Sequence, residues 1–142
     1  MTPVSEVRTL VPGRGAGMAL VLEEPLSFWG GVDPTSGVVI DVHHPQLGES
    51  VAGRVLVMPS GRGSSSSSYV LAEAIRAGTA PAAIVLLETD GVLALGAIVA
   101  RELYGIAVPV VVVSERSYGR FRTDATLDVD AHGRAASVSV RS

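Results

Sequence analysis

The chain has 142 residues, of which 47% are hydrophobic and 18% are charged, and its formal net charge is −3. A chain of this length can form one domain with a substantial core, and so high a hydrophobic fraction indicates a heavily buried sheet or a partner-covered surface. There is no basic stripe, and the only aromatic residues are two Phe, one Trp and three Tyr. Nucleic-acid binding is therefore not expected.

Cysteine is absent, which excludes disulfides, a thiol nucleophile and a thiolate-held iron–sulfur cluster within this chain. The histidines His43, His44 and His132 lack a third ligand at a diagnostic spacing, so we interpret them as solvated loop residues and predict no metal site. The longest apolar run, Ala107 to Val113, is too short to span a membrane, and the first residues lack a signal-peptide pattern. We expect a cytoplasmic location.

The first half of the chain is predicted to be β-rich. The segment Pro12–Gly17 is predicted as a glycine-rich loop, and the segment Leu26–Gly37 has strong turn chemistry. The predicted strands are Val7–Val11, Met18–Leu22, Val38–Val42 and Arg54–Met58.

The second half alternates between helical and strand patterns. Its predicted elements are a helix at Ser68–Ala77, a strand at Ala83–Leu87, a helix at Val92–Tyr104, a strand at Pro109–Val113, and a final hairpin of Ala125–Val129 and Ala136–Val140 joined at His132-Gly133. This alternation indicates parallel crossovers, which place ligands at the carboxyl ends of the strands. We predict an α/β fold, β-rich with a small parallel α/β half, in one domain over residues 1–142.

The segment Pro59–Tyr69 joins the fourth strand to the first long helix and contains five consecutive serines, Ser64 to Ser68. Glycines at Gly61 and Gly63 permit a tight turn, and a helix N-terminus favours negative charge. These features are typical of an anion site. A glycine turn with a serine N-cap explains the same residues without any function, and the residues alone leave both interpretations open. No lysine follows the second glycine, so this is not a Walker loop.

Two charged positions near this segment have alternative roles. Arg62 can supply positive charge to a serine that carries negative charge. Alternatively, it is a solvated turn arginine, or it pairs with a carboxylate such as Glu73. Either Thr89 or Asp90 can cap the second long helix, and we interpret Asp90 as a cap rather than as a catalytic acid.

The only Trp of the chain lies in a predicted loop beside one of the two Phe residues. Phe28 and Trp29 are interpreted as an interface anchor or pocket wall in an exposed apolar patch, with a small core under the loop as the alternative. Asp33 belongs to the same candidate surface, or makes an Asx turn with Pro34.

Three segments together resemble the swivel domain of the aconitase superfamily, and in particular the aconitase X small subunit. They are Pro59–Leu71, Phe28–Pro34 and Ile40–Pro45, and the likeness extends from about residue 7 to about residue 130. The resemblance implies a swivelling β/β/α fold. It also implies a larger, cysteine-containing partner subunit that carries an iron–sulfur cluster, whereas this chain binds no cofactor.

The resemblance also implies roles for the segment Pro59–Tyr69, here called the serine loop. Overlaying the glycine of the aconitase loop on Gly63 implies that Ser64 is the catalytic base, with Ser65 as the reserve. The aconitase loop also contains an arginine that binds the substrate carboxylate, and Ser66 occupies its position in this chain. In this family interpretation, Arg62 or the partner subunit has to bind the carboxylate instead. Substrate-binding roles are implied for Gly61, Arg62, Gly63, Ser65 and Ser66.

The activity implied is that of a hydro-lyase (dehydratase) that works only as a heterodimer with its large subunit, on a small carboxylate substrate. Bacterial members of the family resemble cis-3-hydroxy-L-proline dehydratases and archaeal members resemble phosphomevalonate dehydratases. A composition rich in Ala, Arg and Val and without Lys is typical of a high-GC genome and favours the bacterial activity. The alternatives are the phosphomevalonate enzyme and a non-catalytic anion-binding module.

Overall fold

Eight strands form one mixed sheet in the computed structural model, which describes residues 2–4, 6–133 and 135–141. The strands are β1 (Thr2–Pro3), β2 (Val7–Val11), β3 (Gly13–Val21), β4 (Val55–Met58), β5 (Ala83–Leu86), β6 (Val110–Val113), β7 (Thr126–His132) and β8 (Ala135–Arg141). Their order is β1-β8-β7-β3-β4-β5-β6-β2. Strands β3 to β6 run parallel, whereas the pairings of β1, β2, β7 and β8 are antiparallel, which confirms the predicted α/β class with a parallel half.

Two long helices connect the parallel strands. The helices are α1 (Phe28–Gly31), α2 (Ser67–Ala77), α3 (Gly91–Tyr104) and α4 (Glu115–Tyr118). Helix α2 ends at Gly78 and α3 ends at Gly105, with φ angles of 79° and 69° that favour glycine. In the part of the chain that is described, no helix has both the length and the apolar character needed to cross a membrane.

The central strands separate two hydrophobic cores. On β4, Val55 and Val57 face one core, whereas Leu56 and Met58 face the other, because successive side chains of a strand point to opposite faces. The core that contains Leu56 is covered by α2 and α3. The other core lies on the opposite face of the central strands and includes buried residues of β7 and β8.

The N-terminal segment requires the sheet to curl. Strand β1 pairs with β8 at one end of the strand order, and β2 pairs with β6 at the other end. Only three residues separate β1 from β2, and an extended chain advances at most about 3.6 Å per residue. The two ends of the sheet must therefore lie close together, which encloses the second core.

Two of the secondary-structure elements predicted in the first half are wrong. The predicted loop at Pro12–Gly17 is mostly strand, since Gly13 to Gly17 pair with β7. A Cβ on Gly15 would overlap the carbonyl oxygen of Ala82, and one on Gly17 would overlap that of Gly53. These glycines therefore permit a close approach of two backbones rather than a turn.

The predicted strand at Val38–Val42 is also wrong. Only isolated bridges form there, between Val39 and Val32 and between Val38 and Ser50. Of the apolar residues that suggested a strand, Val39 is fully buried in an irregular segment packed on the core under α2 and α3, whereas Ile40 is 47% exposed and Val42 is 73% exposed. An apolar run of this length therefore did not identify a strand, because the segment has no continuous strand partner.

One carboxylate on the sheet is almost fully buried and neutralised by two arginines. Asp128 on β7 has a side chain that is 5% exposed, and its Oδ2 lies 3.2 Å from Arg14 and 3.3 Å from Arg141. The hydrogen bond from Arg14 is the main reason that the pKa of Asp128 lies below its usual range. The ionised form is therefore bound more favourably in the folded state than in the unfolded chain.

We predict that Asp128 contributes stability that is present near neutral pH and is lost as the pH falls below about 4 towards its lowered native pKa. Asp128→Asn should lower the melting temperature at pH 7 and flatten the fall of the melting temperature between pH 5 and pH 3. Asp124→Asn is the control, because Asp124 is 70% exposed in its pair with Arg54. Equal pH profiles for wild type and Asp128→Asn would contradict this assignment.

Candidate functional site

The serine loop forms one wall of a pocket at the carboxyl ends of β4 and β5. Residues 59–66 connect β4 to α2, and residues 87–90 connect β5 to α3. The pocket has a volume of about 90 Å³. Its lining residues are Leu26, Gly61, Arg62, Gly63, Ser64, Ser67, Asp90, Val92 and Leu93. The topology thus brings together the predicted loop and the predicted helix cap.

Ser64 is positioned at a turn that immediately precedes α2. Its Oγ accepts a hydrogen bond from the backbone N–H of Ser66 at 3.0 Å, and its carbonyl oxygen accepts from the N–H of Ser67 at 3.0 Å. The turn follows Gly63, whose φ of 87° favours glycine. The hydroxyl oxygen of Ser64 therefore faces a backbone donor, and its own proton remains available to a ligand.

The neighbouring backbone offers further hydrogen-bond donors. Among the described residues, no acceptor binds the backbone N–H groups of Gly63, Ser64 and Ser65. The hydroxyls of Ser65 and Ser66 are likewise without a partner in the described chain, and Ser66 occupies the N-cap position without a side-chain cap. The loop presents unpaired N–H groups and hydroxyls, which suits an anionic ligand.

Ser67 is a structural member of the serine run, a role that the sequence reasoning missed. It is buried, and its Oγ accepts from the backbone N–H of Trp29 at 3.2 Å. The Ser67 hydroxyl also lies 3.2 Å from the Oγ of Ser27, which in turn donates to the carbonyl oxygen of Trp29 at 2.9 Å. Its spacing from the buried Leu71 places it on the inner face of α2, and this was the available signal.

Arg62 carries the positive charge at the pocket. Its guanidinium lies 3.7 Å from a carboxylate oxygen of Glu24, and both side chains are about half exposed. The suggested pairing of Arg62 with Glu73 is wrong, because Glu73 is bound by Arg76 three residues along α2. A long contact between two exposed groups is weak, so a ligand anion can compete for Arg62.

The candidates on residues 26–37, the Trp29 loop, separate into different environments. This segment contains the short α1, in which Trp29 and Gly30 have non-helical backbone angles. The expected exposure of Phe28 is wrong, since Phe28 is fully buried in the helical core of this chain. Trp29 is 58% exposed. Asp33 does not line the pocket, and its Oδ1 accepts from the N–H of Thr35 at 2.9 Å, which is the Asx turn given as the alternative.

The interpretation of His44 as a solvated residue is wrong. His44 is 4% exposed, and its Nδ1 accepts from the N–H of Gln46 at 3.0 Å. That bond leaves Nε2 to donate to the carbonyl oxygen of Glu24 at 3.1 Å, so the ring joins the segment around Gln46 to the backbone at Glu24.

Asp90 caps α3 as predicted, because its side chain accepts from the backbone N–H groups of Val92 and Leu93. Within the described ranges, no three His, Asp or Glu side chains are grouped so that they could hold a metal ion.

A curled mixed sheet with a serine loop at the end of a parallel strand defines a small α/β domain of the swivel type. The family model of the aconitase X swivel domain matches residues 4–138. The chain belongs to this family.

Related proteins extend the comparison. The chain is 55% identical over 109 residues to a cis-3-hydroxy-L-proline dehydratase of Pseudomonas aeruginosa, covering 77% of this chain and 19% of that protein. It is 48% identical over 95 residues to a phosphomevalonate dehydratase small subunit of Methanothermobacter thermautotrophicus, covering 67% and 72%. The holo-form crystal structure of Thermococcus kodakaraensis aconitase X superposes with a TM-score of 0.84 at 34% identity, covering 96% and 97%. The chain thus spans about a fifth of the Pseudomonas protein.

We predict that Ser67 stabilises the fold, whereas Ser66 does not. Ser67→Ala removes a buried hydroxyl and leaves the N–H of Trp29 without its acceptor, which should cost about 1–3 kcal/mol in the free energy of unfolding. Ser66→Ala removes an exposed hydroxyl and should change this free energy by less than about 0.5 kcal/mol. Urea unfolding of both variants checks this difference, and equal stabilities would show that the Ser67 contacts contribute nothing.

Proposed function

We propose that this chain is the swivel-domain subunit of an aconitase X-type hydro-lyase, with cis-3-hydroxy-L-proline as its substrate. The observation that carries the proposal is the serine loop, in which Ser64 faces a backbone donor at the edge of a pocket that also contains Arg62. The relatives named above are dehydratases or subunits of dehydratases, which supports the reaction class.

Ser64 acts as the general base in this proposal. A serine hydroxyl is a weak base until it loses its proton, so its environment has to stabilise the alkoxide. The N–H of Ser66 donates to Ser64 Oγ, and the N-terminus of the 11-residue helix α2 follows three residues later. Both place positive partial charge near the alkoxide. The alkoxide then removes the proton α to the substrate carboxylate.

Substrate binding is assigned to the rest of the loop. The unpaired N–H groups of Gly63, Ser64 and Ser65 and the guanidinium of Arg62 bind the carboxylate. Ser65 and Ser66 are exposed at the same edge, where their hydroxyls reach further polar groups of the substrate. Gly61 and Gly63 let the backbone approach the ligand closely.

The remaining parts of the active site belong to a larger partner subunit. In this proposal an iron–sulfur cluster lies on a cysteine-containing large subunit in a cytoplasmic heterodimer, and the absence of cysteine from this chain agrees with that division. When bound there, the cluster supplies a Lewis acid for the leaving hydroxyl. The chain covers only about a fifth of the Pseudomonas dehydratase, which supports a need for additional protein.

Two other functions have specific support. The identity to an archaeal phosphomevalonate dehydratase small subunit supports phosphomevalonate as an alternative substrate, with the same loop binding the anion. The unpaired N–H groups of the loop also fit a non-catalytic module that binds a phosphate or a carboxylate.

We predict that Ser64→Ala lowers turnover by a hundredfold or more and leaves assembly and melting temperature unchanged, since a positioned base contributes about 10²–10⁴-fold. The assembled complex is assayed with cis-3-hydroxy-L-proline and with phosphomevalonate. Ser114→Ala, which lies outside the pocket, is the control, and Ser65→Ala and Ser66→Ala test the neighbouring hydroxyls.

The outcomes separate the candidates. Near-normal turnover of Ser64→Ala disproves the assignment of the base, and loss in Ser65→Ala alone transfers the role to the reserve residue. If the wild-type complex dehydrates neither compound but this chain binds phosphate or a carboxylate, the binding module replaces the enzyme.

We also predict that Trp29 is buried when the large subunit binds. It is the only Trp of the chain, so labelling with 5-fluorotryptophan gives one ¹⁹F resonance. Because 58% of its surface is exposed and its backbone N–H is bound by Ser67, assembly should shift that resonance and reduce its sensitivity to solvent. An unchanged resonance in the assembled complex would exclude Trp29 from the interface.

A further inference from the structure

We infer that Asp90 is a positioning residue for Ser64, because one carboxylate both caps α3 and fixes the start of the serine loop. The inference rests on the proposed function, since it assigns to Asp90 an effect on the proposed base. Asp90 lines the same pocket as Ser64.

The two oxygens of Asp90 have different partners. Oδ1 accepts from the backbone N–H groups of Val92 and Leu93, each at 3.0 Å, which is an ordinary helix cap. Oδ2 accepts from the backbone N–H of Gly61 at 2.9 Å. A helix cap needs only the two bonds to Oδ1, so the bond between Oδ2 and Gly61 has a separate explanation.

The contact with Gly61 is also sterically specific. A Cβ added to Gly61 would lie 2.6 Å from Asp90 Oδ2 and 3.1 Å from a side-chain carbon of Leu93. The φ of Gly61 does not itself require glycine, because it is not in the positive region. Glycine at this position is therefore explained by the close approach of the carboxylate.

The hydrogen bond from Gly61 to Asp90 fixes the N-terminal end of the segment that carries Ser64. Gly61 also forms a bridge with Leu26, and the N–H of Arg62 donates to the carbonyl oxygen of Leu26 at 3.3 Å. The downstream end is held by the buried Ser67. Ser64 lies in the middle of a short span with both ends fixed, so release of Gly61 displaces Ser64 relative to a substrate.

The side chain of residue 90 can be changed so that the two roles separate. Serine caps helices about as well as aspartate, but its single short hydroxyl cannot reach Gly61 while it caps. Asparagine keeps one acceptor oxygen for the cap and turns an N–H₂ group towards the N–H of Gly61. Asp90→Ser and Asp90→Asn should both retain α3 and lose the bond to the loop.

The first measurement is hydrogen exchange of individual amides in this chain. We expect both variants to raise the exchange rate of the Gly61 amide by tenfold or more, while the amides of Val92 and Leu93 stay protected. Ser114→Ala is the control, because Ser114 caps α4 and does not line the pocket. Unchanged exchange at Gly61 overturns the inference, whatever the activity of the complex.

The second measurement is the steady-state kinetics of the assembled complex. We expect kcat to fall on the order of ten- to a hundredfold, with KM changed less than about threefold, because a small displacement of a reacting group reduces the rate more than binding. Gly61→Ala should cause a similar loss, and the Gly61→Ala/Asp90→Ser double variant should lose little more than either single variant. Additive losses, or a normal kcat with faster Gly61 exchange, overturn the positioning role.

These readouts distinguish the inference from the proposed function. If Ser64→Ala keeps full turnover, the proposed base is wrong, yet the exchange of Gly61 still reports whether Asp90 holds the loop. If Ser64→Ala is inactive and Asp90→Ser is fully active, the proposed function stands and the inference fails.

Discussion

The burial of both faces of the central parallel strands is the constraint on which the rest of the structure depends. Every residue of β4, β5 and β6 is buried, so each face needs its own cover. Helices α2 and α3 cover one face, and the curled antiparallel part of the sheet covers the other. The polar loops are then left at the carboxyl ends of the strands, which is where the pocket lies.

The curl of the sheet depends on close backbone contact. Gly15 and Gly17 on β3 lie against the carbonyl groups of Ala82 and Gly53, and a side chain at either position would collide with them. On the outer side of β7, Asp128 is buried between Arg14 and Arg141, which joins β3, β7 and β8 through one carboxylate. Small residues on one face and a neutralised charge on the other thus stabilise the same curved region.

The five serines are not equivalent. Ser67 turns inward and joins α2 to the Trp29 loop, and Ser68 donates to the carbonyl oxygen of Ser65. Ser64 is fixed by the N–H of Ser66, whereas Ser65 and Ser66 project from the surface. A run that looks uniform therefore contains internal anchors and ligand-facing groups, because it spans a turn and the first residues of α2, which direct successive side chains towards different surroundings.

The sequence by itself determined the parallel β4–α2–β5–α3–β6 unit, because long apolar runs, glycine stops and a capping aspartate are local signals. It also determined the position of the serine loop at a strand end. Only the tertiary structure decided that Gly13 to Gly17 form a strand, that Phe28 and His44 are buried, and that Asp90 reaches Gly61. Each of these depends on a partner distant in the chain, and the periodicity of side chains carries no information about which backbone will approach.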